Sequence, residues 1–167
     1  MATITLRGEE THTAGELPKI GSRVPEFTLT DSGLTDVSMN KWHGRRRLLN
    51  IFPSIDTPVC AESTRKFNEF ASKNPDVAMI MISADLPFAH KRFCSDESLE
   101  NVVTLSTMRS RDFARDYGVL IEDGPLAGLA ARAVLVVDEN DVVVHAELVS
   151  EIGNEPDYES ALRALGA

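Results

Sequence analysis

The chain has 167 residues, 43% of them hydrophobic, with a formal net charge of -9. That length and apolar content suit a single globular domain over residues 1–167, large enough to bury a core without disulfide or metal staples. The acidic balance argues against nucleic acid as a partner, because phosphates reward clustered lysine and arginine, and no apolar run approaches the roughly 20 residues that cross a bilayer.

Residues 2–14 alternate weakly around Gly8-Glu9-Glu10 and suggest a small β-hairpin at the edge of the fold. Phe27 and Leu29 alternate with polar neighbours, and a second short strand is expected at 37–39, after Ser32-Gly33. Arg45-Arg46-Arg47 is most simply a solvated strand entry. Residues 48–52 have the length and composition of a buried strand, and Pro53 stops it. Thr57-Pro58 has the grammar of a helix start, with Thr57 as N-cap and Cys60 third in the first turn. A thiol there faces unpaired backbone N–H groups and the positive end of the helix dipole, which favour the thiolate.

The helix is expected to run to about Lys73, with Val59, Phe67, Phe70 and Ala71 on its inner face, and Asn74-Pro75 ends it. Residues 77–82 read as a second buried strand, parallel to the first through a right-handed crossover. Asp85-Leu86-Pro87 opens a short helix that carries Cys94 near its end. Then come a third strand at 102–105, a short helix at 111–117 capped by Gly118, a flexible connection at 123–128, a hairpin at 131–146 turning at Glu139-Asn140-Asp141, and a closing helix at 156–165. A β-α-β unit followed by a hairpin and a terminal helix is the order of an α/β thioredoxin-like fold, here with an N-terminal β-hairpin extension.

Cys60 and Cys94 form no C-x-x-C, and no Cys/His cluster has metal-binding spacing, so neither zinc nor any cofactor is expected. Residues 1–10 lack the apolar centre of a signal peptide, and a soluble cytoplasmic protein is expected. In a reducing compartment a cysteine pair that bonds at all is more often transient and catalytic than structural. Two unrelated buried thiols acting as small hydrophobes remain an alternative. His12, His43 and His90 sit in polar contexts and are expected to be solvated, while His145 alternates with valines; none is given a catalytic role.

Pro53-x-x-x-Thr57-x-x-Cys60 resembles the active-site pattern of the peroxiredoxins. Residues 50–60 are similar to the atypical two-cysteine, thiol peroxidase subfamily, and the resemblance continues through Ser83-Ala84-Asp85-Leu86-Pro87-Phe88-Ala89, Arg92-Phe93-Cys94, Ala131-Arg132-Ala133 and Glu155-Pro156-Asp157-Tyr158. It implies a peroxiredoxin-type thioredoxin-like fold in which Cys60 reduces hydrogen peroxide and organic hydroperoxides. It also implies that Cys94 is the resolving cysteine of an intramolecular disulfide, that Arg132 reaches Cys60 to hold the thiolate and orient the peroxide, that thioredoxin is the reductant, and that the protein is a homodimer.

Peroxide reduction requires a thiolate and stabilisation of the leaving oxygen. An unperturbed thiol of pKa ~8.5 is about 3% ionised at neutral pH, so lowering its pKa gains roughly thirty-fold at most. The rest must come from groups that polarise the O–O bond. Thr57 has the chemistry for this, one turn before Cys60, though it serves equally as a plain N-cap. Pro53, lacking an N–H, walls the pocket or simply ends the strand. Joining Cys60 to Cys94 is expected to require local unwinding around residues 57–62 and 88–97. A Cys-His hydrolase and a non-enzymatic thioredoxin-like binding domain are the competing readings.

Overall fold

Thr3–Leu6 (β1) and Glu9–His12 (β2) form the expected hairpin, turned by Arg7 and Gly8, both with positive φ. The computed structural model describes residues 1–166. Thr28–Asp31 (β3) and Asp36–Ser38 (β4) pair antiparallel. Arg47–Ile51 (β5) follows, then helix Pro58–Lys73 (α1) and strand Ala78–Ser83 (β6). β5 and β6 are buried at every position, as strands covered on both faces must be, and they pair in parallel with Leu49 opposite Ile80.

Helix Pro87–Asp96 (α2) leads to Val103–Ser106 (β7), a single helical turn Phe113–Asp116 (α3), the hairpin Ala133–Val137 (β8) and Val143–Leu148 (β9), and helix Tyr158–Ala164 (α4). The main sheet has seven strands in the order β4-β3-β7-β6-β5-β8-β9. The thioredoxin-like order expected from the sequence is therefore present, although α3 is shorter than expected. Gly118, with φ +69°, could carry no side chain, because a Cβ would lie 2.0 Å from the Glu16 carbonyl oxygen.

Strand alternation divides the core in two. Leu49, Ile51, Ile80 and Ile82 face Phe27, Trp42, Phe113 and Tyr117, while Leu48, Met79 and Met81 face Phe67, Cys60 and Leu165 on the helical side. Burying a side chain such as Phe67 contributes about 1.5–3 kcal/mol. The buried stripe of α1 is Cys60, Ser63, Thr64, Phe67 and Ala71; Val59 and Phe70 are only half-buried. Ser63 and Thr64 tolerate this because their hydroxyls donate to the Cys60 carbonyl, at 3.0 and 2.8 Å.

Arg47 corrects the expectation of a solvated arginine cluster, since it is 1% exposed. Its guanidinium donates to the Asp141 carboxylate and to the Asp138 carbonyl in the β8–β9 turn. The apolar strand that follows draws its first residue inside, and the turn supplies the counter-charge. No described helix is long and apolar enough to cross a membrane.

Candidate active site

The helix start follows the local grammar of the sequence with one exception. Thr57 is the extended N-cap residue and Pro58 opens the helix, but the Thr57 hydroxyl makes no cap. It donates instead to the Ser54 carbonyl at 2.9 Å. The first-turn amides of α1 are thus left without a side-chain cap around Cys60, keeping the positive end of the helix unneutralised.

Arg132 immediately precedes β8, whose first residue Ala133 lies opposite Ile51 at the end of β5. That register brings an arginine 72 residues away in sequence onto Cys60. Its Nη1 donates to Cys60 Sγ at 3.1 Å, and its Nε donates to the Ile152 carbonyl at 2.9 Å, which fixes the guanidinium plane. Cys60 is 0% and Arg132 2% exposed. The Ile152 N–H in turn donates to the Thr5 carbonyl at 2.9 Å, so the N-terminal hairpin is attached to the segment that holds Arg132.

Pro53, Thr57 and Arg132 meet on one cavity of about 490 Å³, which Leu6, Val59 and Leu126 help to line. Cys94 is elsewhere: it is half-buried on α2 and faces a separate cavity of about 280 Å³ bordered by Asp31, Lys91, Leu99 and Thr104. Burial pushes the Cys94 thiol pKa up. Both cysteines are free. Four of the five residues singled out from the sequence thus gather at one place, and the fifth stands apart on another helix. No group of three or more His, Cys, Asp or Glu side chains that could hold a metal occurs among the described residues.

Two groups at this site escaped the sequence analysis. Glu151 accepts from the Thr5 hydroxyl at 2.5 Å and from the Arg7 and Gly8 amides at 2.9 and 3.2 Å, pinning the hairpin turn beside the cavity. The Thr5 hydrogen bond, then that of Arg7, holds its carboxyl at about 2, well below its ordinary 4.5. Because the folded pKa is lowered, this tether is present above the ordinary carboxylate range and is lost as pH falls from about 4.5 through about 2. An NMR titration of the Arg7 and Gly8 amides is expected to report a midpoint near the lower end of that window. A midpoint at 4.5 would contradict the tether.

The second group is His90, expected in solvent but 0% exposed. It lies 2.7 Å from Ser83 Oγ and 3.7 Å from the Asp85 carboxylate. Its polar sequence neighbours Lys91 and Arg92 are exposed, but α2 turns the histidine itself inward. Its spacing four residues before Cys94, one turn along the same helix, was the available signal.

This sheet order, with a buried cysteine at a helix start held by an arginine, defines an oxidoreductase of the redoxin class. A family model described as Redoxin matches residues 19–162, and the chain belongs to that family. Over 167 residues it is 53% identical to the thiol peroxidase of Mycobacterium tuberculosis, covering 100% of both chains, which sets it among the thiol peroxidases of the peroxiredoxin type. A peroxiredoxin-like protein from Aquifex aeolicus superposes with a TM-score of 0.93 at 36% identity, over 99% of this chain and 96% of that one. A thiol peroxidase from Chromobacterium violaceum does so with a TM-score of 0.90 at 26% identity, over 98% and 95%.

Proposed function

We propose that the protein reduces hydrogen peroxide and organic hydroperoxides through Cys60, resolves the product with Cys94, and is recycled by thioredoxin. The observation that carries this is the contact between the Arg132 guanidinium and the buried Cys60 sulfur, at 3.1 Å, beside a cavity that is largely apolar.

The Cys60 thiolate attacks one oxygen of ROOH. The S–O bond forms as the O–O bond breaks, and the departing RO⁻ takes a proton to leave as ROH, so sulfur is oxidised to sulfenic acid. Arg132 holds the charge on sulfur before attack, and its remaining N–H groups polarise the peroxide as charge moves to the leaving oxygen. The Thr57 hydroxyl, held by the Ser54 carbonyl, offers a lone pair to the hydrogen of the attacked oxygen. Pro53 contributes a wall with no N–H to compete. Leu6, Val59 and Leu126 give the cavity apolar surface suited to an alkyl group R.

The Cys94 thiol then condenses with the sulfenic acid, forming the Cys60–Cys94 disulfide and releasing water. Two electrons from thioredoxin return both thiols through a mixed disulfide. The setting is a cytoplasmic one, in which such a disulfide is transient. Exposed Leu86 and Phe88, 54% and 65% accessible at the start of α2, favour assembly as a homodimer, which a monomer in sedimentation at micromolar concentration would rule out.

The test is hydroperoxide consumption coupled to a thioredoxin system. Cys94→Ser is expected to complete a single turnover with an ordinary first step and then fail to be recycled by thioredoxin. Sustained turnover by Cys94→Ser at the unsubstituted rate would contradict the resolving role.

A further inference from the structure

We propose that Asp85 is a positioning residue for both thiols: it fastens the active-site loop to the helix carrying Cys94 and so sets how readily the two segments separate for disulfide formation. The proposal rests on the reaction sequence given above and concerns the step between sulfenic acid and disulfide.

Asp85 lies between β6 and α2. Its Oδ1 accepts from the Ser54 hydroxyl at 2.8 Å, and its Oδ2 accepts from the Ile55 N–H at 2.7 Å and the Ser83 hydroxyl at 2.5 Å. Ser83 has one hydroxyl hydrogen. With that hydrogen given to Asp85, the Nε2 of His90 must be the donor to Ser83 Oγ across their 2.7 Å contact. His90 Nδ1 is buried without a hydrogen-bond partner among the described residues, so the imidazole is fastened to the structure through this one network. Burial alone would raise the Asp85 pKa, but the nearby His90 imidazole and the hydrogen bonds from Ser83, Ile55 and Ser54 outweigh it and hold the carboxyl well below its usual range.

The network has two ends, and each leads to a cysteine. At one end the Ser54 carbonyl accepts both the Thr57 hydroxyl and the Thr57 N–H, at 2.9 and 3.2 Å, and Thr57 is the N-cap residue of the helix bearing Cys60. At the other, His90 is one helical turn before Cys94 on α2. Cys60 is fully buried with its sulfur held by Arg132, while Cys94 faces a cavity that neither Cys60 nor Arg132 lines, so bringing the two thiols together requires the two helices to leave these positions. Separation of the loop from α2 must break the contacts of Asp85 with Ser54 and Ile55.

The sulfenic acid has two fates. It condenses with Cys94, releasing water, or it is oxidised by a second hydroperoxide to the sulfinic acid, releasing ROH. A firm Asp85 latch delays the first and so favours the second. In Asp85→Asn the amide presents only one acceptor oxygen to three donors, so the latch weakens. At equal hydroperoxide, the sulfinic acid formed per turnover, read by mass spectrometry of the Cys60 peptide, is expected to fall on the order of tenfold. Ser54→Ala, which removes only the Ser54 contact, is expected to shift the ratio the same way by a smaller factor, and it carries the test if Asp85→Asn does not fold.

Adding Cys94→Ser to either variant is expected to abolish the difference, since condensation is then impossible. A general loss of stability would not respond to Cys94 in this way. A Cys60–Cys94 disulfide formed with an unchanged sulfinic acid ratio in folded variants would overturn the role of Asp85 alone. No such disulfide in the unsubstituted protein would overturn the reaction sequence and this inference with it.

Discussion

Cys60→Ser is expected to abolish hydroperoxide reduction, with a loss of at least about 10⁴-fold, while leaving the fold intact. Serine has nearly the shape of cysteine, so a fully buried position beside Arg132 accepts it without a cavity. Its hydroxyl can still accept the Arg132 hydrogen bond, but it is far less acidic and less nucleophilic than a thiol. Cys94 offers no substitute, because burial pushes its thiol pKa up and it faces another cavity, away from Arg132. Circular dichroism should match that of the unsubstituted protein while consumption of peroxide falls to the buffer rate. A rate within an order of magnitude of normal would contradict the assignment of Cys60.

Arg132→Leu is expected to lower kcat/KM for hydroperoxides by about 10²–10³-fold, the effect of removing a preorganised donor to developing charge. The guanidinium is 2% exposed, so its hydrogen bonds are made away from competing water. Leucine brings no charge of its own but removes the partner of the buried Cys60 thiolate, so circular dichroism is read beside the rates to separate the catalytic effect from destabilisation. It does strand the Ile152 carbonyl, at a cost of about 1–3 kcal/mol in stability. Arg132→Lys keeps the charge but cannot donate simultaneously to Ile152 and to Cys60 from a fixed fork, so an intermediate rate is expected. Stopped-flow oxidation of Cys60 at varied peroxide measures both variants, and unchanged kcat/KM in Arg132→Leu would remove the arginine from the reaction.

The strands of this fold are written in contiguous apolar runs, and β5, β6 and β8 fall within a residue or two of where such runs suggest. Buried polar residues are not written that way. Arg47 looks like part of a solvated basic cluster because its counter-ion, Asp141, is 94 residues away. His90 looks like one polar residue among several, since its burial depends on Ser83 and Asp85 across the β6–α2 corner. Glu151 gives no local sign of its role, because its partners Thr5, Arg7 and Gly8 lie at the other end of the sequence.

At the site, Thr57 and Cys60 were legible from helix-start grammar, while Arg132 came only from the resemblance of its segment to a family. The physical reason for its position, the register of β8 against β5, is a long-range pairing that no local pattern encodes. Thr57 shows the opposite limit: the sequence located the N-cap residue but not the direction of its hydroxyl, which Ser54 captures.

The most direct test of Cys60 as the reacting sulfur is intact and peptide mass spectrometry after one equivalent of hydroperoxide, without reductant. The unsubstituted protein is expected to lose two hydrogens and yield a Cys60–Cys94 linked peptide. Cys94→Ser is expected to gain one oxygen on Cys60, and Cys60→Ser to remain unmodified. Oxygen appearing on Cys94 of the Cys60→Ser protein as fast as the disulfide forms in the unsubstituted one would contradict it.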